Sequence, residues 1–139
     1  MPRQDHSFRI QYYDTDQMGV AHHAAYFHWM ETARTEWFRK AGLCYRDFEE
    51  QGFMLPVVEA SFQYGASARY DQEAGIECTI ASLKRSTLVI HYELFIIATG
   101  EKLGSGSTRH ACVSSETMKI TRFPNFAMAI LEGLPKTEA

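Results

Sequence analysis

A chain of 139 residues with 45% hydrophobic content can bury one sizeable core and is too short for two ordinary domains. With a formal net charge of −3, nothing global argues for nucleic acid or an anionic membrane surface, and an anionic ligand would need a local basic patch. Three scattered cysteines without a C-x-x-C exclude a disulfide framework and a zinc knuckle, and no apolar run is long enough for a leader or a bilayer span. A single domain over 1–139 and a cytoplasmic location are therefore expected.

Phe8, Ile10 and Tyr12 alternate with polar neighbours and predict a half-buried strand. Residues 14–22 are irregular and acidic at their start. From about 23 to 41 the period turns helical: Tyr26, Met30, Ala33, Trp37 and Ala41 make one stripe, and Gly42 is a natural stop. Phe27, Trp29 and Phe38 lie off that stripe, which predicts a helix covered on most sides. Glu31 and Arg34, one turn apart, read as a surface or interface pair. A short helix is expected over 45–51, ending at Gly52. A long strand is expected over 55–68, and others over 76–83 and 88–97, the last apolar on both faces and so central in a sheet. Lys84-Arg85-Ser86 separates those two, and Ala98-Thr99-Gly100-Glu101 is a hairpin turn. The segment 103–115 reads as a strand rich in small residues, which permit close approach of another backbone. Phe123-Pro124-Asn125 is expected to cap a short C-terminal helix. One long helix followed by a run of antiparallel strands indicates an α+β fold.

The chemistry concentrates in Tyr13-Asp14-Thr15-Asp16-Gln17-Met18-Gly19-Val20-Ala21-His22-His23. A strand runs into an acidic turn, passes a glycine and opens a helix. That places Asp16 beside the electropositive end of a helix, where backbone N–H groups can hold an oxyanion while the carboxylate attacks or activates water. The alternative is that Asp14 and Asp16 only shape a turn or cap the helix. His22 and His23 point about 100° apart on a helix and His28 joins neither, so no metal site is expected. His23 offers its backbone N–H at the first helical turn. Glu59 is a carboxylate inside an apolar strand; turned inward it would be a catalytic candidate. Arg69, Lys84 and Arg85 are local positive charges suited to phosphates, or else solvated turn residues.

Tyr13-Asp14-Thr15-Asp16, Gly19-Val20, His23, Tyr26 and Glu31-Thr32-Ala33-Arg34 resemble the signature of hotdog-fold acyl-CoA thioesterases of the hydroxybenzoyl-CoA type. The likeness continues through Pro56-Val57-Val58, Ala68-Arg69-Tyr70-Asp71, Lys84-Arg85-Ser86 and residues 120–124. It implies an antiparallel sheet wrapped around the long helix, paired edge to edge into a homodimer or homotetramer with active sites at the subunit interface. It implies Asp16 as catalytic aspartate, His23 at the carbonyl-binding helix end, and Tyr26 in the pocket. Lys84, Arg85 and Ser86 would meet the nucleotide end of coenzyme A, which is part of the substrate, so no separate cofactor is implied. His22 stands where relatives often carry tyrosine. A hydratase or dehydratase on the same fold, or a non-catalytic acyl-CoA-binding protein, are the alternative functions.

Overall fold

In the computed structural model, which describes residues 2–138, the elements follow as β1 (His6–Arg9), a 3-10 turn (Tyr12–Asp14), α1 (His23–Lys40), α2 (Tyr45–Glu50), β2 (Phe53–Met54), β3 (Val57–Tyr64), β4 (Glu73–Leu83), β5 (Thr87–Ile96), β6 (Lys102–Ala111), β7 (Val113–Ser114) and α3 (Asn125–Gly133). Five strands make one antiparallel sheet in the order β1-β4-β5-β6-β3; β2 and β7 pair in a separate two-stranded sheet. The class is α+β. The strand apolar on both faces, β5, is the central one.

The buried residues of α1 come in adjacent pairs one turn apart: Ala25–Tyr26, Trp29–Met30, Ala33–Arg34 and Trp37–Phe38. The apolar stripe is thus two residues wide. Trp29 and Phe38 belong to it, and only Phe27 of the off-stripe aromatics reaches the surface. His28, Glu31 and Thr32 are exposed, so within one chain the helix is not covered on most sides. Arg34 is also not the surface partner of Glu31. It is 8% exposed and its guanidinium donates to the hydroxyl of the buried Tyr92 at 3.1 Å. The i, i+3 spacing predicted a contact, but Arg34 lies on the covered side of the helix and Glu31 on the open side.

The chain's contacts gather into two compact units. The first holds the chain up to Trp37 with Phe62–Cys78 and Tyr92–Gly106. Here β1 pairs with β4 in the register His6↔Ile76, Phe8↔Ala74. Phe8 meets Trp29 at 4.9 Å between ring centroids. Gly104 sits at φ 148°, a conformation side chains rarely adopt; a Cβ there would run into the Gln63 carbonyl and lie 2.6 Å from the Phe62 ring. The small residues of 103–115 read as a place for the long helix to cross or for a ligand to lie; at Gly104 the close approach is made instead by β3. Gly75 likewise lies under Phe95, with 2.7 Å between a hypothetical Cβ and Cζ.

The second unit holds Phe38–Ser61, Thr79–His91 and the chain from Ser107 on. Phe48 of α2 stacks near Phe53 and Phe126, at 5.5 and 6.4 Å. His110 is fully buried: Nδ1 donates to the Leu55 carbonyl at 3.3 Å, which fixes the tautomer, and Nε2 accepts from the Thr108 hydroxyl at 2.8 Å. The tail adds along β4, with Ile80 N–H donating to Pro135 O and Thr137 N–H to Ile80 O, both 2.8 Å. Lys136 Nζ donates to the carbonyls of Leu131, Glu132 and Leu134 and so closes the end of α3. At its start α3 has Pro124 as cap without a side-chain bond, and Asn125 is already helical. The cap therefore lies within the Phe123-Pro124-Asn125 segment read from sequence. The strand expected over 55–68 is also shorter, because Gly65 and Ala66 turn onto the carbonyls of Leu103 and Lys102.

Two outcomes follow from this packing. Gly104→Ala adds a methyl against backbone and ring, and a loss of about 2–3 kcal/mol is expected in chemical denaturation. All three cysteines are free thiols. Burial pushes the Cys112 thiol up to about 11 and that of Cys78 higher still, with Asp5 adding to the latter. Both stay protonated in the fold, so their contribution to stability is complete below the ordinary thiol pKa and is lost as pH rises through the raised values. A disulfide reagent at about pH 8 should label the half-buried Cys44 rapidly and the other two only on unfolding.

Candidate active site

The acidic turn is built by its own backbone. Asp16 N–H donates to Val20 O at 2.9 Å and Gly19 N–H returns to Asp16 O at 3.0 Å, with Gly19 at φ 78° making the reversal. Asp16 Oδ1 accepts from Met18 N–H at 2.8 Å and Val20 N–H at 3.4 Å. The carboxylate is exposed in the single chain. The turn-shaping role weighed for Asp16 is therefore present, and both of its bonds fall on one oxygen. Asp14 is buried and plays a different part: its Oδ2 accepts from Gln11 N–H at 2.9 Å, and its carbonyl accepts from His22 N–H at 3.0 Å, one residue before α1 begins.

A second segment holds this turn in place. Ala21 N–H donates to Ala68 O at 2.8 Å, and Val20 bridges Arg69 in antiparallel fashion. The backbone of Ala68 also lies near enough to the Tyr26 phenol to favour its charged form. One buried alanine thus ties down the turn and faces the first turns of α1. Arg69 projects exposed beside it, its N–H on Gln72 Oε1 at 2.7 Å.

Around the start of α1 the rings are contiguous. Tyr26 lies 4.8 Å from Trp29, 4.8 Å from Phe62 and 4.9 Å from Tyr64. His23 lies 4.9 Å from Tyr64, whose hydroxyl donates to the His23 carbonyl at 3.3 Å. Burial raises the Tyr26 phenol above its ordinary value, the nearby Tyr64 adds to this, and the Ala68 backbone opposes it. Asp16, His23, Tyr26 and Arg69 all belong to the first unit.

Glu59, Lys84, Arg85 and Ser86 belong to the second. Glu59 faces solvent from β3, with Arg109 Nε at 4.0 Å. The inward orientation that would perturb a carboxylate is not adopted in the single chain. Lys84 N–H closes the β4–β5 turn on Thr87 O; Arg85 O accepts from Phe123 N–H and Ser86 O from Cys112 N–H. The backbone of this basic turn is thereby fixed while the Lys84 and Arg85 side chains stay exposed. Beside it lies a cleft of about 590 Å³ lined by Ser82, Lys84, Arg85, Met128, Glu132 and Lys136. Among the described residues no group of His, Cys, Asp and Glu is placed to hold a metal, and no helix is long and apolar enough to cross a membrane.

The anchoring role of Ala68 escaped the sequence pattern, since it acts through backbone atoms. Its only signal was its place in the Ala68-Arg69-Tyr70-Asp71 stretch. Replacing Tyr26 with Phe should soften the alkaline response of the fold. The neutral phenol is favoured by folding, so its contribution holds below about pH 10 and is lost as pH climbs through the raised value. Thermal melts across that range should fall less steeply for Tyr26→Phe than for the parent chain.

A profile of the thioesterase-like superfamily matches residues 10–131. The acyl-CoA thioesterase YbgC of Haemophilus influenzae is 30% identical over 127 residues, covering 91% of this chain and 92% of that protein. The crystal structure of a DHNA-CoA thioesterase from Staphylococcus aureus superposes with a TM-score of 0.83 at 31% identity, covering 91% of this chain and 89% of that one. That of Slr0204, a 1,4-dihydroxy-2-naphthoyl-CoA thioesterase from Synechocystis, has a TM-score of 0.86 at 20% identity, covering 92% and 94%, and bears on the fold alone.

Proposed function

The chain belongs to the thioesterase-like superfamily, and from that membership we propose that it hydrolyses acyl-CoA thioesters with Asp16 as the reacting carboxylate. The observation that carries this is the acidic turn, pinned through Val20 and Ala21 to Ala68 and Arg69 and leading directly into the first turn of α1. The first N–H groups of a helix have no partner within it and carry partial positive charge. At His23 they receive the thioester oxygen as it gains negative charge. Asp16 Oδ1 is engaged by Met18 and Val20, so Oδ2 is the oxygen that attacks the carbonyl or takes a proton from water. Water supplies the hydroxyl of the product acid, and the proton goes to the departing coenzyme A sulfur.

Tyr26 forms the floor of the acyl site. Arg69, Lys84 and Arg85 meet phosphate groups, with Ser86 fixing the turn that carries two of them. Glu59, set against Arg109, takes no part in the chemistry of its own chain. The protein works as at least a homodimer. β3 stands at the edge of the sheet, and Val57, Val58 and Tyr64 on it are 45%, 57% and 45% exposed. An exposed apolar edge strand is a template for a second strand, and an identical copy supplies one.

Asp16→Asn tests the assignment, because the amide still accepts the Met18 and Val20 bonds. With the melting temperature unchanged, the rate of thiol release from acyl-CoA should drop by about 10²–10⁴. A folded Asp16→Asn protein that keeps the parent rate overturns it.

A further inference from the structure

The first unit has a recess between the edge strand β1 and the open side of α1 that the proposed reaction leaves unused. It measures about 320 Å³, and its lining lies wholly between His6 and Thr32. Its floor is aromatic. Phe8 and Trp29 meet at 4.9 Å between centroids, and His6 stacks on Phe8 at 5.9 Å. One charged group reaches the recess from inside the protein. Asp14 lines it and is only 9% exposed. The turn uses one of its carboxylate oxygens: Oδ2 accepts from Gln11 N–H at 2.9 Å. Oδ1 takes no donor from the described residues. Arg9, on the same wall, is committed elsewhere. Its guanidinium donates to Asp71 O at 2.6 Å and lies 3.7 Å from the Asp71 carboxylate and 3.5 Å from that of Glu73.

We propose that this recess is a second ligand site, that it takes a small flat organic cation such as an aromatic amine or amidine, and that its occupation is felt at the acidic turn. A carboxylate oxygen held among rings and largely out of water gains more from a charged donor than it would in open solvent. The cationic end of the ligand donates to Asp14 Oδ1, and its flat body lies against Phe8 and Trp29, whose ring faces also attract positive charge. The space is that of about ten atoms at the volume a water molecule takes in the liquid. That fits one ring with one charged group and is far too small for coenzyme A. The same carboxylate repels anions, so the acid and phosphate groups of the proposed reaction are refused here.

The coupling, unlike the binding, rests on the reaction proposed above. Asp14 stands two residues before Asp16, and its carbonyl accepts from His22 N–H at 3.0 Å, one residue before α1. On the opposite wall Trp29 touches Phe8 on one side and Tyr26, at 4.8 Å, on the other. A cation that draws on Asp14 therefore acts on both ends of the segment that carries Asp16. Its effect on the reaction is set by how differently it binds the positions that turn can take.

Benzamidine is the probe, and benzamide, of the same shape without the charge, is its control. Trp29 in the floor is the reporter. Tryptophan fluorescence at about pH 8 should saturate with benzamidine at a Kd of about 1 mM or tighter. Benzamide should bind at least about tenfold more weakly. Thr32→Arg sets a fixed cation at the mouth from an exposed helical position, and Asp14→Asn removes the negative charge. Each should weaken benzamidine by about tenfold or more, with the melting temperature as the check on folding. No saturation, equal binding of benzamide, or a Kd left unchanged by either variant when folded overturns the site. Saturating benzamidine should change kcat/KM for an acyl-CoA by about twofold or more in the parent chain and leave Thr32→Arg unaffected. A parent kcat/KM that does not move overturns the coupling. The fluorescence titration needs no turnover, so a fully active Asp16→Asn chain would sink the catalytic assignment and leave the binding result standing.

Discussion

The main chain of Ala68 is what the site depends on. Its carbonyl takes the Ala21 N–H, and Arg69 beside it bridges Val20, so one small buried residue fixes the end of the acidic turn just before the helix begins. Without that clasp the loop over 15–22 would be an ordinary surface loop, free to sample many conformations. With it, the carboxylate of Asp16 is carried on a closed turn whose geometry is set by Gly19. Electrostatic stabilisation of an oxyanion requires such prior fixing, since donors that must first reorganise lose most of their advantage. The aromatic neighbours of Tyr26 add rigidity. Rings at 4.8–4.9 Å leave the phenol little room to turn.

The other governing constraint is the open side of β3. A strand with exposed valines and a tyrosine invites pairing. The single chain presents Asp16 and Glu59 to solvent. In the homodimer proposed above, pairing through the strand is what would shield the acidic turn from bulk water, so that association and activity would share one surface.

Much of this was legible in the sequence because it follows from local rules. The period of α1 and its glycine stop, the alternation in β4, the two-faced apolarity of β5, and the hairpin at Thr99-Gly100 are short-range patterns. The turn chemistry of Asp16 was equally readable from D-x-D followed by glycine. What escaped depends on distant partners. Arg34 looked like a surface residue because nothing nearby in sequence announces Tyr92, fifty-eight positions on. The break at Gly65 and the separate β2–β7 pair interrupted segments whose composition is uniformly strand-like. Glu59 sits in an apolar run that left inward and solvent-facing orientations both open, because an edge strand can be apolar and exposed at once. The two-residue width of the buried stripe on α1 is likewise a property of what covers it, not of the helix alone.

The glycine lying under a phenylalanine ring imposes an order on how this chain can change over time. At Gly75 the space of a side chain is already occupied by Phe95. A larger residue there is admissible only after the ring has been lost. The reverse path is open, because removing a ring leaves a gap and not a collision. At Gly104 the Gln63 carbonyl closes the same space from the backbone, so that glycine stays even where the Phe62 ring is lost. Among descendants of this sequence, a side chain at position 75 should appear only where Phe95 has already gone.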